Sequence, residues 1–395
     1  MENTVRAMMG LIANEVCGSA IDKKEYSFSQ EELVKLYKLS KTHDLAHLVG
    51  DALIKNDLLS DAEIRAKFEK QIMVAVLRYE KINYELECLR ETLNEAKIPF
   101  IPLKGSVIRQ YYPEPWMRTS CDIDILVHES DLEAATSAVV EKLSYEEEGK
   151  GSHDIGLFSP GGVHLELHYS LIESDIVGKA DRMLEPVWEQ VSPTEKYPYD
   201  YEMTDALYYY YHIAHMAKHF QNGGCGVRPF LDIWVLEHCV PHDEEKRREL
   251  LQEGGLLTFA TEAENLSGIW FSGAGYTDTA RQMESYILYG GVYGNISNRV
   301  SVQQAKQGGK VRYALSRIWL PYHVMKRYYL SLDGKPLLLP FYEVYRWFGL
   351  LFNGGVKRGV NELKINGAMT EEQQNGASEL LSHLGFDYLM PQKNI

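Results

Sequence analysis

Cys121-Asp122-Ile123-Asp124-Ile125-Leu126-Val127 is the stretch that decides the fold. In a strand, successive side chains alternate faces, so Asp122 and Asp124 point one way while Ile123 and Ile125 pack the other way. The apolar flanks predict a central strand, where two neighbouring carboxylates repel and are costly to bury without a cation. Hard divalent cations, Mg²⁺ above all, take oxygen ligands and bind beside phosphates. His164-Leu165-Glu166-Leu167-His168 repeats the alternation and offers Glu166 from a second strand. Three such acids would complete a two-metal site for in-line displacement at phosphorus. His164 and His168 share the face of Glu166 and are alternative ligands, while His168 also suits the role of orienting an acid.

Upstream, the short strand Phe100-Ile101-Pro102-Leu103 runs into Lys104-Gly105-Ser106 at the start of a helix. Backbone N–H groups there form a phosphate seat that glycine lets a ligand approach, with the Ser106 hydroxyl as a further donor. Lys104 points either at the same phosphates or at water. Arg118, just before the acidic strand, has either a carboxylate or a nucleotide to pair with.

Working outward, residues 1–97 read as helical. Ser29-Gln30-Glu31-Glu32 has capping character, and residues 61–96 carry a long helical period that Pro99 ends. A helix is expected over 129–143 and strands over 145–148, 153–158 and 163–169, with Ser159-Pro160-Gly161-Gly162 as a hairpin turn. From about 180 onward the pattern is helical again, over 203–221, 229–239, 243–253, 256–265, 277–290 and 337–352, with Gln307-Gly308-Gly309-Lys310 as either a break between helices or a mobile loop. The expected organisation is a helical region at 1–97, a small mixed α/β unit at 98–175 and a second helical region at 176–395, an α+β fold.

At 395 residues the chain is long for one core, and its 45% hydrophobic content suffices for globular folding. A net charge of −15 disfavours nucleic acid as a partner. The charge is uneven: residues 301–364 hold eleven Lys/Arg and three Asp/Glu, a segment that either faces a triphosphate or is a solvated surface. The cysteines, Cys17, Cys88, Cys121, Cys225 and Cys239, lack metal-finger or thioredoxin spacing and read as reduced thiols of a cytoplasmic protein. No apolar run is long enough for a membrane span, and no membrane partner is expected.

Two further segments carry chemistry. His212, His215 and His219 share one helical face, which opens the alternative of a zinc hydrolase, although no cysteine or acid joins them within the helix. Tyr208–Tyr211 reads as core and interface.

Taken in order, Leu103, Gly105 and Ser106, then Asp122 and Asp124, then Glu166, this chain resembles the nucleotidyltransferase superfamily with a DNA polymerase beta-like palm. The gap from Ser106 to Asp122 is slightly longer than the usual pattern. More narrowly, Leu103-Lys104-Gly105, Arg118, Glu166-Leu167-His168, Lys218-His219 and Gly226-Val227-Arg228-Pro229 with Asp232 resemble uncharacterised bacterial nucleotidyltransferase proteins over roughly residues 95–350. The resemblance implies a small mixed-sheet palm with helical regions on both sides. It implies transfer of a nucleoside monophosphate from an NTP with two Mg²⁺. Asp122, Asp124 and Glu166 would be metal ligands and catalytic acids; Lys104, Gly105, Ser106, Arg118, Lys218 and Arg228 would hold nucleotide; His168, His219 and Asp232 would support them. The acceptor class allowed is a small molecule such as an aminoglycoside-like sugar, a modified peptide, or a protein side chain. A palm that binds nucleotide without turnover, as an antitoxin-like protein, is the alternative.

Overall fold

The computed structural model describes residues 2–172, 178–291, 294, 296–352 and 355–386. The expected boundary at 175 lies outside the described residues. The chain divides into two compact units. One comprises residues 1–218 and 226–281; the other comprises 219–225 and 282–395.

The first unit begins with four helices, α1 (Glu2–Cys17), α2 (Gln30–Thr42), α3 (Ala46–Lys55) and α4 (Ala62–Glu95). Ser29 caps α2 with the reciprocal Glu32 partner that the sequence suggested, and Asp61 caps α4 by accepting from the Ile64 N–H. Then follow β1 (Phe100–Pro102), the one-turn α5 (Gly105–Ile108), β2 (Asp122–Val127), α6 (Leu132–Leu143), β3 (Glu146–Lys150), β4 (Asp154–Phe158) and β5 (His164–His168). These strands form one mixed sheet in the order β1-β2-β5-β4-β3. β2 and β5 run parallel, with Asp122 opposite His164, Asp124 opposite Glu166 and Leu126 opposite His168. All other pairs in the sheet are antiparallel.

The period of two sorts the side chains as expected. Ile123, Ile125, Val127, Leu165 and Leu167 lie in one apolar core with Ile82, Leu86, Leu89 and Leu93 of α4 and Leu132, Ala135 and Val139 of α6. That core anchors one face of the sheet and leaves the acids on the other. The fold is α+β, a small mixed sheet within a helical protein.

The short hairpin β6 (Val191–Pro193) and β7 (Tyr201–Met203) lies where no strand was expected. Its apolar alternation is only three residues long, and an isolated bridge from Phe100 to Asp200 ties it to β1. The unit continues with α7 (Asp205–Gln221, up to Lys218), α8 (Arg228–His238), α9 (Glu244–Glu253), α10 (Leu257–Ser272) and the start of α11 (Asp278–Leu288).

The second unit holds the rest of α11, then α12 (Ile296–Gln307), α13 (Lys310–Ile318), α14 (Tyr322–Tyr328), α15 (Leu339–Phe352), α16 (Gly355–Ala368) and α17 (Glu371–His383). Gly308 and Gly309, both at positive φ, make the break between α12 and α13. Among the described residues no helix is long and apolar enough to cross a membrane. None of the five cysteines forms a disulfide with another described residue.

Candidate functional site

The site forms where β2 and β5 lie side by side. In parallel register Asp124 stands opposite Glu166, so neighbouring strands bring the two carboxylates together. Two residues along, His168 turns its Nε2 to Asp124 Oδ1 at 3.0 Å and to Glu166 Oε2 at 3.4 Å. Among the described residues, one set of His, Cys, Asp and Glu side chains converges as metal ligands: Asp124, Glu166 and His168, whose ligand atoms all lie within 4.8 Å of one another. Asp122 shares their face of β2 and is partly exposed, but it is not part of this tight set.

Lys104 supplies the compensating charge. Its ammonium donates to Asp124 Oδ1 at 2.7 Å and lies 3.9 Å from Glu166 Oε2. The Lys104 backbone adopts φ 48° and ψ −123°, a region disfavoured for any residue but glycine. The turn is fixed from both sides: the Leu103 N–H donates to the Asp124 carbonyl (2.9 Å), and the Tyr208 hydroxyl of α7 donates to the Lys104 carbonyl (2.9 Å).

Charges within the cluster follow from this geometry. Burial raises the Asp124 carboxyl, but Lys104 and His168 outweigh it and hold the group well below the usual carboxylate range. Burial and repulsion from Asp124 push Asp122 up, with Lys104 opposing. Burial would lower His168, yet its hydrogen bonds to Asp124 and Glu166 raise it. Lys218 on α7 is pulled down to about 8, by burial and by the Lys104 charge, with Glu166 and Asp154 opposing. His153 stacks on His168, with ring centroids 5.7 Å apart.

The Gly-Ser turn is built closely. A Cβ on Gly105 would stand 3.1 Å from Ser120 Cβ and 3.5 Å from Arg109 Nη2. Arg109 braces the turn from inside, donating to the Gly105 carbonyl (2.6 Å) and to Ser120 Oγ (2.7 Å). The Ser106 hydroxyl oxygen is buried and finds no hydrogen-bond partner among the described residues. A buried hydroxyl without a partner is rare, and a polar ligand is one way to satisfy it.

Other expected site residues are paired with groups of the protein. Of its two expected partners, Arg118 takes the carboxylate: Nε and Nη2 donate to Asp232 Oδ1 and Oδ2 at 2.7 and 2.8 Å. Asp232 is fully buried and also accepts from the Tyr112 hydroxyl at 2.7 Å. Arg228 donates to Asp44, which also accepts from Arg78 (3.2 Å) and Thr119 (3.1 Å). His212 is half-buried against the Pro229 carbonyl at 3.1 Å, and His215 lines a small cavity with His168 and Tyr211. His219 belongs to the second unit.

Sequence reading missed Asp44, Arg109 and Tyr112. Arg109 had a signal in its four-residue spacing from Gly105, which one helical turn brings together. Asp44 and Tyr112 had none, since their partners lie 184 and 120 positions away.

A family model described as an uncharacterised nucleotidyltransferase matches residues 29–272. No curated protein and no solved structure matches the chain. The matched span contains β1 through β5 and every residue of the acid cluster.

Proposed function

Because the chain belongs to this nucleotidyltransferase family, whose chemistry is nucleotidyl transfer, we propose that it moves a nucleoside monophosphate from an NTP to an acceptor hydroxyl, releasing pyrophosphate. The observation that carries this reading is the convergence of Asp124, Glu166 and His168 beside a turn whose Ser106 hydroxyl has no partner. Two carboxylates and an imidazole within ligand distance of one another fit a divalent cation, and the carboxylate oxygens favour Mg²⁺ or Mn²⁺. Asp124 and Glu166 would hold it, with Asp122 joining for a second ion. When bound, such ions supply charge compensation at the attacking and leaving oxygens.

The chain's own groups do the rest. The Ser106 hydroxyl and the Gly105-Ser106 backbone donate to the triphosphate. Lys218, whose ammonium proton is held loosely, neutralises developing charge on the leaving pyrophosphate. Glu166, half-buried at the rim of the cluster, takes the acceptor proton. His168 keeps both acids oriented. Arg118, Asp232 and Arg228 hold the walls of the site rather than the nucleotide. Residues 98–175 act as the palm, with 1–97 and 176–395 as helical regions on either side. The scattered free thiols suit a cytoplasmic setting. The acceptor is a small molecule, a peptide or a protein side chain.

A second reading draws on the Lys104 ammonium lying 2.7 Å from Asp124. Acids already neutralised by a lysine are what a palm that binds nucleotide without turnover, as in an antitoxin-like protein, would keep.

The test is incubation of the purified chain with each α-labelled NTP, Mg²⁺ or Mn²⁺ and cell extract, following labelled product and pyrophosphate. Asp122→Asn and Asp124→Asn are expected to abolish metal-dependent turnover while circular dichroism stays unchanged. Turnover retained in both variants overturns the assignment. Calorimetric NTP binding without pyrophosphate release favours the second reading.

A further inference from the structure

The second unit is built inside out along two of its helices. On α15 the polar side chains turn inward: Glu343 is buried, accepting from the Leu320 N–H and from Arg346 Nε (2.9 Å) and Nη2 (2.7 Å). The opposite face carries Phe341 (72% exposed), Tyr345, Phe348 and Phe352 (85% exposed), with Leu337 just before the helix. Offsets of four, three and four put these rings on one stripe. The stripe is wide, because Val344 and Leu351 on its flank are also exposed.

Helix α13 repeats the inversion. Tyr313 and Arg317 turn to the buried Glu362, whereas Val311, Leu315 and Ile318 face solvent. The two helices adjoin, since Arg346 Nη2 and Trp347 Nε1 both donate to the Ile318 carbonyl at the end of α13 (2.8 and 3.2 Å). Each helix thus turns an apolar face to solvent, aromatic on α15, and together they expose more than the scattered apolar residues of an ordinary monomer surface.

Charge says what covers it. This segment, residues 301–364, is strongly cationic within a chain of net charge −15. Two of its three acids, Glu343 and Glu362, are buried and paired with Arg346 and Arg317, and the third, Asp333, is exposed and paired with Lys326, so the cations left over are in excess. Exposed Arg312 follows Val311, and exposed Lys335 lies two residues before Leu337, so cations flank the apolar stripes. A second copy of the chain docked face to face would set this cationic rim against itself. An anionic, deformable apolar surface would not.

We propose that the α13 and α15 faces of the second unit seat on an anionic lipid bilayer, with the rings in the acyl boundary and the Lys/Arg side chains among headgroup phosphates. Exposed rings and aliphatic groups with flanking basic residues are the chemistry of interfacial binding. The expectation of no membrane partner rested on the absence of a spanning segment, and a helix lying on the surface needs none. The proposal is independent of the acid cluster in the first unit. It would confine whatever that site does to acceptors at the membrane surface.

The experiment is flotation of the full chain with vesicles of phosphatidylcholine alone and of phosphatidylcholine mixed equally with phosphatidylglycerol. The expected result is binding to the anionic vesicles that weakens as salt is raised. The double variant Phe341→Glu with Phe348→Glu is expected to lower the bound fraction about tenfold or more. Arg312→Glu with Lys335→Glu is expected to lower it as well, with circular dichroism unchanged in both. Equal binding to both vesicle types, binding untouched by either variant, or no binding at all overturns the proposal. So does sedimentation showing a wild-type dimer that the Phe341→Glu/Phe348→Glu variant breaks, which would assign the face to a second copy.

Discussion

Replacing Asp232 by alanine would leave the Arg118 guanidinium buried with the Thr119 carbonyl (2.7 Å) as its remaining acceptor. Breaking a buried pair from one side costs about 3–5 kcal/mol, because the surviving charge has lost its compensation. The Tyr112 hydroxyl loses its acceptor at the same time, worth about 1–3 kcal/mol alone, though losses within one network do not add. A net loss of about 4 kcal/mol is expected, which at roughly 2–4 °C per kcal/mol lowers the melting temperature by about 10 °C. Asp232→Asn keeps one acceptor oxygen and is expected to lose about half as much. The decisive arm is the double variant Arg118→Met with Asp232→Leu, which removes both charges and fills the space. It is expected to recover to within about 1–2 kcal/mol of wild type, because apolar replacement of a buried pair is often close to neutral. Urea denaturation and calorimetric melting of all variants supply the numbers. An Asp232→Ala loss under about 1 kcal/mol, or single losses that simply add in the double variant, would refute the reasoning. The same series separates a scaffolding Arg118 from a nucleotide-binding one, since a nucleotide ligand would lose NTP affinity while leaving the melting temperature in place.

Lys104→Met should tighten Mn²⁺ binding to the chain measured by calorimetry without nucleotide, because the ammonium now 2.7 Å from Asp124 competes with a cation; unchanged or weaker binding contradicts that competition. Ser106→Ala should weaken NTP binding by about 1 kcal/mol while leaving the melting temperature unchanged or slightly raised, since its buried hydroxyl has no partner to lose; a destabilised variant with full NTP affinity contradicts this. His47 is fully buried, with Nε2 on the Met117 carbonyl at 2.9 Å, and burial pushes it down to about 4 from an ordinary 6.5. A depressed histidine contributes stability in full above 6.5 and loses it as pH falls toward 4, because only the unfolded chain then takes up the proton; about 3 kcal/mol should go over that window. His47→Gln should flatten this limb of a urea midpoint against pH, and an unchanged limb contradicts it.

The helices and strands of the first unit were legible because their signals are local. The alternation gave β2 to the residue and β5, expected over 163–169, to within one residue at each end, and the period of α4 gave its ends to within one. The hairpin β6–β7 was not legible, as three-residue strands carry too few side chains for a period to show.

The sequence by itself determined which residues alternate, which turn could seat a phosphate, and that Asp124 and Glu166 both face away from the core. These follow from backbone geometry that any chain obeys within a few residues. Only the tertiary structure decided the parallel register that sets Asp124 opposite Glu166, the seating of Lys104 on Asp124, and the pairing of Arg118 and Arg228 with Asp232 and Asp44. Choosing among acids for an arginine is a competition between partners more than a hundred positions apart. It is settled by which one burial leaves in greatest need of a charge, and no spacing along the chain records that.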